Sequence, residues 1–229
     1  TNNDTVVNDK EPTSVPEQKP IQTNNESGAA ASKKILILGD SEVASSFVPK
    51  EIREGIGTIC SDCAFVGSRF DITQSVRMEG FPGYSTERFV TIELPSVLSK
   101  LRTNVPDIVV IHFGTNDAVV DGGANFKKNV STIIDSFIGL NHKAQFIFAQ
   151  VPLIAIYDKT QDKNIVDSRY SSAIENINTS IRNLGVSYAS NPGVTADDFT
   201  VSDGVHPGYR GQSKIAGALT AALIPFVRK

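Results

Sequence analysis

Ser41, in Gly39-Asp40-Ser41, and the pair Asp203 and His206, in Ser202-Asp203-Gly204-Val205-His206-Pro207, are the residues whose types can do chemistry together. A hydroxyl, an imidazole and a carboxylate are the smallest set that turns a side-chain oxygen into a nucleophile. His206 would take the Ser41 proton and later return it to a leaving group. Asp203, three residues earlier, would hold the imidazole tautomer and stabilise the imidazolium. A tetrahedral oxyanion also needs donors. The backbone N–H groups of Ser41 and Gly83 and the side-chain amide of Asn116 can supply them. Glycine suits position 83, because a side chain there would block approach to the backbone.

Each block alone has a plainer explanation. Asp40-Ser41 can be a helix N-cap, and Gly114-Thr115-Asn116-Asp117 a turn that caps a helix. Gly80 and Gly83 can be loop punctuation, and Asp203 to His206 a turn with a structural histidine. The pieces gain weight from the elements that must carry them. Ile35-Leu36-Ile37-Leu38 is a continuous apolar run ending at Gly39, as expected of a strand buried on both faces of a parallel sheet. Residues 64–67, 107–113 and 145–151 predict further strands, and 185–188 a weaker one. Helical periodicity falls between them, over 86–101 (with Pro95 disturbing its middle), 126–140, 165–184 and 208–227. Strands alternating with helices predict a three-layer α/β/α sandwich on a mostly five-stranded parallel sheet. In such a sheet, sites collect at the carboxyl ends of the strands. Ser41 follows the first strand, Gly80 to Ser85 the second, Asn116 the third, and the loop of His206 precedes the last helix. All four blocks are therefore expected at one edge.

The chain has 229 residues, enough for one ordinary domain with an appendage. Residues 1–32 are rich in Asn, Thr, Glu, Gln, Pro and Ser and lack aromatics, so they read as a disordered polar tail or linker. A tail of this kind suggests a signal, a lipid anchor or a further module upstream. The folded domain is expected over 33–229. With 22 basic and 25 acidic residues the net charge is -3, and no basic run points to a nucleic-acid partner. No apolar stretch approaches a membrane span. Cys60 and Cys63 can be a redox pair, half a zinc site, or simply two half-buried thiols, or a small local disulfide if the compartment is oxidising; the last, plainer reading is preferred, since the thioredoxin-like placement after a first strand is missing and the histidines are scattered singly, and it leaves open whether the two are bonded. His112, inside the third strand, reads as a satisfied core residue and His142 as a surface loop residue.

With these residues in hand, the chain resembles the SGNH (GDSL-type) hydrolases. Ser41 in Gly-Asp-Ser, Gly83 in Pro-Gly-Tyr-Ser, Asn116 in Gly-Thr-Asn-Asp and His206 in Asp-Gly-Val-His-Pro match the four blocks in order, and Asp203 matches the aspartate of the last. Phe65-Val66-Gly67-Ser68 followed by Glu79 to Tyr84 is similar to the carbohydrate esterases that remove acetyl groups. The resemblance implies a flavodoxin-like fold and a secreted, periplasmic or cell-surface hydrolase of short acyl esters on a glycan, without metal or other cofactor. One departure is Glu42 after the nucleophile, where the family often has an aliphatic residue; a carboxylate there would influence substrate charge preference. Specificity is expected from 153–164, 81–84 and 118–125. A lipid-directed esterase or thioesterase, a non-catalytic glycan-binding module and a metallophosphoesterase are the competing readings.

Overall fold

The computed structural model describes residues 32–190, 192–200 and 204–228. The polar segment expected over 1–32 lies, except for Ser32, outside them, and so does Asp203.

Strand β1 (Lys34–Gly39) is the centre of the sheet, and its apolar run has two faces to fill. Ile35 and Ile37 pack into one core with α2 (Val48–Gly57) and α8 (Tyr209–Val227). Leu36 and Leu38 pack into the other, beneath α4 (Leu94–Leu101), α6 (Phe126–Leu140) and α7 (Ser171–Arg182). Strand β5 (Ile108–His112) divides in the same way, with Val109 and Ile111 on the side of Leu36. Burial on both faces is why these strands are uninterrupted apolar runs.

The parallel order is β4-β1-β5-β6-β9, with β4 at Arg77–Gly80, β6 at Gln145–Ala149 and β9 at Ser187–Ala189. This is the doubly wound order in which the chain reverses direction beside β1, and the crevice opens there. The expected five positions are present, but the first is shared. β2 (Ala64–Val66) pairs with the start of β1, over Lys34 to Leu36, and β4 with its end, over Leu38 and Gly39. A short strand β3 (Arg69–Phe70) adds an antiparallel edge to β4.

Two differences from the sequence reading, and one disturbance it expected, have physical causes. The helix expected from Ile165 starts at Ser171, because β8 (Lys163–Val166) pairs antiparallel with β7 (Ala155–Asp158). Buried Asn164 donates from Nδ2 to the Phe199 carbonyl (3.1 Å), which anchors that hairpin to the loop before α8. Pro95 disturbs the middle of its helix, as expected, without ending it; α3 (Thr86–Arg88) widens into a π-type turn over Phe89–Glu93, and Pro95 falls in the first turn of α4, where a missing N–H costs little. The last strand lies beyond Gly185, whose φ of 72° makes the turn into it. Cys60 and Cys63 are joined by a disulfide at the α2–β2 connection.

The carboxyl end of β1 is built for close approach. The short helix α1 (Ser41–Ala44) rests on Gly39 and Gly80, which pair across β1 and β4. A Cβ on Gly39 would lie 2.4 Å from the His112 carbonyl oxygen and 2.5 Å from Val43; one on Gly80 would lie 2.7 Å from Ala44. Gly80→Ala is therefore expected to lift α1 and to cost about 1–3 kcal/mol, the usual range for overpacking. Urea unfolding of the two proteins checks this; an unchanged midpoint would show that α1 is not pressed onto the strand.

Candidate active site

Ser41 is the first residue of α1, so its backbone N–H has no partner within the helix by position. The N-cap Asp40 occupies the amides that follow: its Oδ1 accepts the Glu42 N–H (3.1 Å), and its carbonyl accepts those of Val43 and Ala44 (3.2 and 3.0 Å). His206 comes from the loop before α8, and its Nε2 stands 2.9 Å from Ser41 Oγ. That is hydrogen-bond distance between a hydroxyl and an imidazole.

The loop of His206 is held at several points. Gly204 has φ 66°, and a Cβ there would lie 2.6 Å from the Ala155 carbonyl oxygen. The Ala155 N–H donates to the Gly204 carbonyl (3.0 Å), so β7 braces one side of the loop. Phe199 and Pro207 form an isolated antiparallel bridge, and the Gly208 N–H donates to the Asp198 carbonyl (2.7 Å). Asp198 is itself buried, accepting from Thr195 and paired with Lys214 of α8. Asp203, expected to orient the imidazole, lies outside the described residues.

Gly83 and Asn116 reach the same cleft as Ser41 and His206, a hollow of about 380 Å³ also walled by Ser45, Pro82, Thr115 and Val205. Gly83 has φ 73°, a region that glycine enters without strain, and open space surrounds the position of its missing Cβ. Behind it, Phe81 packs against Tyr84 and Phe89, with the Arg69 guanidinium 4.3 Å over its ring. Asn116 lies in α5 (Thr115–Val120), after Gly114 at φ 135°, where a Cβ would meet Val151 at 2.4 Å.

Two buried carboxyl groups hold these donors, and neither role was visible in the sequence. Asp40 Oδ2 accepts from Asn116 Nδ2 (3.3 Å), which fixes the amide while its second hydrogen remains available to the cleft. Asp117 accepts the Thr86 N–H on both oxygens (3.1 and 3.0 Å) and the Thr86 hydroxyl on Oδ1 (2.5 Å). Thr86 ends the loop of Gly83, and Asp117 follows Asn116, so this contact sets the spacing of the two donors. Asp40 and Asp117 were legible in the sequence only as parts of a cap and a turn.

Burial dominates the electrostatics. Asp40 is fully buried, and desolvation pushes its carboxyl up to about 7 against the lowering effect of the Glu42 N–H and the Asn116 amide. Asp117 is raised by the same cause, opposed by Thr86. His112, at the end of β5, is lowered to about 4 by burial and stays neutral. It departs from the expected satisfied core residue: both ring nitrogens lack hydrogen-bond partners, and Nδ1 stands 4.0 Å from Asp40 Oδ1. His142 is exposed, as expected.

Glu42 also departs from its expected place. It is 3 % exposed and is not part of the cleft wall, because one residue along a helix turns a side chain by about 100°. It therefore does not present a charge to a ligand in the cleft. Of the expected specificity segments, 81–84 reaches the cleft through Pro82 and Gly83; 153–164 contributes the β7–β8 hairpin behind the His206 loop. The turn over 118–125 is closed by Gly122 and Gly123, both at positive φ, and a Cβ on Gly123 would meet Ile177 of α7 at 2.6 Å.

No family model matches the chain, and no curated protein matches it either. Solved structures do. The chain is similar to a carbohydrate esterase family 3 protein from Talaromyces cellulolyticus, with 22 % identity and a TM-score of 0.69 over 85 % of this chain and 98 % of that one. An acetyl esterase, crystallised as a serine-to-alanine mutant with an acetate ion, gives 22 % identity and 0.68 over 85 % and 98 %. A lipase/acylhydrolase from Enterococcus faecalis gives 20 % identity and 0.57 over 86 % and 97 %. The chain shares the α/β/α fold of these proteins along nearly their whole length.

Proposed function

We propose that this chain is a metal-independent serine esterase that removes short acyl groups, O-acetyl above all, from a glycan. The observation that carries the reading is the 2.9 Å contact between Ser41 Oγ and His206 Nε2 in a cleft that Gly83 and Asn116 also line. The likeness in fold to carbohydrate and acetyl esterases supports it, and the small cleft suits a short acyl group. The Cys60–Cys63 disulfide favours an oxidising compartment, as in secreted, periplasmic or cell-surface proteins.

In this reading Ser41 Oγ attacks the acyl carbon while its proton passes to His206 Nε2. The carbonyl oxygen becomes an oxyanion, met by the N–H groups of Ser41 and Gly83 and by the Asn116 amide. Collapse breaks the ester C–O bond, and the departing alkoxide takes the proton from His206. Water then attacks the acyl-enzyme, His206 accepts a proton again, and the acid leaves as Ser41 is restored. Asp203 is the assigned partner of the imidazole. Asp40 and Asp117 are positioning residues, acting through Asn116 and Thr86.

Three outcomes test this. Ser41→Ala should lower p-nitrophenyl acetate hydrolysis by at least about a thousandfold without unfolding the protein, and EDTA should leave the wild type unchanged. Activity retained in the variant would end the assignment, and a rate that climbs from acetate to octanoate esters would move it to lipid substrates.

Asp117→Ala should lower kcat by about ten- to a hundredfold, toward the loss seen when one oxyanion donor is removed, with KM moving far less. Equal changes in both constants would deny Asp117 a positioning role.

Asp40→Asn tests the buried charge. A carboxyl held above its unfolded value keeps its proton in the folded state, so its contribution to stability falls as pH rises from about 4 toward 7. Replacing it should therefore raise the melting temperature relative to wild type more at pH 8 than at pH 5. His112 works in the opposite sense, since its lowered value costs stability on acidification from about 6.5 to 4. The variant should accordingly lose stability more steeply than wild type over that range. A difference in melting temperature that is the same at both pH values would refute the assignment of a buried charge.

A further inference from the structure

Two exposed aromatic side chains stand at the sheet edge that carries Ser41 and His206, and the steps of ester hydrolysis give them no part. Phe47 is the N-cap of α2, and Tyr209 is the first residue of α8. Ser41 opens α1 just before α2, and His206 sits just before α8, so both aromatics belong to the carboxyl edge of the sheet. Their rings meet edge to face, 5.8 Å apart and inclined by 75°. That arrangement leaves at least one ring face bare of the other. Tyr209 is 67 % exposed and Phe47 36 %.

The pair is tied to both chemical segments. The Phe47 N–H donates to Gln212 Oε1 (3.1 Å), and Gln212 Nε2 donates to the carbonyl of Pro207, the residue after His206 (2.8 Å). On the other side the Ser46 hydroxyl donates to the Glu42 carbonyl, and the Val48 N–H donates to Ser46 Oγ (3.1 Å). Phe47 is thus fastened to the helix that begins at Ser41. Ser45, two residues before it, is part of the cleft wall, and Tyr209 is three residues from His206. At about 3.5 Å per residue at most, both backbones lie within roughly 7 to 11 Å of the cleft wall.

The chemistry at the rim favours a sugar. On the esterase reading the cleft takes the acyl group, so the alcohol part of an ester must leave past its mouth. An acyl chain would need a continuous apolar path, whereas Ser45, Thr115 and Asn116 make the wall partly polar. A pyranose ring has a face of C–H groups bounded by hydroxyls. It fits an exposed aromatic face that has water and a phenol hydroxyl at its margin.

We propose that Phe47 and Tyr209 form a stacking subsite for a sugar ring of a glycan ester, at or next to the ring that carries the acyl group. The proposal rests on the esterase reading for its substrate. The test uses Phe47→Ala, Tyr209→Ala and the double variant, each assayed on p-nitrophenyl acetate, p-nitrophenyl octanoate and chemically acetylated xylohexaose. The expected result is a rise of about tenfold in KM for the acetylated hexasaccharide in the double variant, equivalent to about 1.4 kcal/mol. The acetate ester, which has no sugar, should change by less than about twofold under the same conversion. Equal losses on both substrates would make the pair a support for the catalytic segments, and a larger loss on the octanoate would make it an acyl-chain contact. An unchanged KM for the hexasaccharide would remove it from recognition. Any of these overturns the proposal while leaving the esterase reading intact. Should the wild type hydrolyse none of the three esters, the esterase reading fails first. Calorimetric titration of the wild type and double variant with unmodified xylohexaose then decides on the subsite, which predicts binding that the double substitution abolishes.

Discussion

Everything at this site depends on how closely α1 lies against the end of β1. Gly39 and Gly80 pair across two strands, and neither has room for a Cβ, with the His112 carbonyl, Val43 and Ala44 all inside 3 Å of the missing atoms. That closeness puts Ser41 at the lip of the sheet rather than a layer above it. The order of strands matters as much. β4 meets β1 only at Leu38 and Gly39, because β2 already occupies the earlier part of the same edge. The loop of Gly83 is thereby delivered beside Ser41, and the Phe81 N–H to Gly39 carbonyl bond (2.9 Å) fixes where it leaves the strand.

Separate loops then have to agree on one geometry. Loops are mobile unless something rigid holds them. Here the partners are buried and polar: Asp40 on Asn116, Asp117 on Thr86, and Asp198 and Asn164 around the segment that ends in His206. An apolar contact could hold the loops together, but it would not set the direction of an amide. Hydrogen bonds to carboxyl groups do, and burial of Asp40, Asp117 and Asp198 limits competition from water.

The strand pattern and the order of the blocks were legible because two-sided burial leaves a compositional mark, as in Ile35 to Leu38 and Ile108 to Ile111. Ser41, Gly83, Asn116 and His206 were legible as types at the expected edge. What escaped depends on contacts between distant segments. Asn164 looks like the end of a loop before a helical pattern until the Phe199 carbonyl is seen to accept its amide, which is why the β7–β8 hairpin was missed. Thr86 and Asp117, 31 residues apart, carry no signal of their pairing. Glu42 misled because adjacency in sequence was taken for adjacency in the cleft, and a single helical step turns it inward. The alternatives left open at Cys60 and Cys63 closed on a bond that composition could only permit.

The buried groups beneath the cleft also limit one another. His112 lies 4.0 Å from Asp40, yet burial of both works against an ion pair, holding the carboxyl up and the imidazole down. Near neutral pH His112 is neutral and Asp40 only partly ionised, so the floor of the cleft carries less negative charge than its composition suggests. For an esterase this would have a consequence. A full negative charge on Asp40 would sit one amide away from any oxyanion held by Asn116 and would oppose it, whereas a neutral carboxyl keeps an oxygen for Nδ2 without that repulsion. Deep burial of Asp40 thus lets one side chain cap α1 and aim Asn116 while sparing the cleft much of its charge.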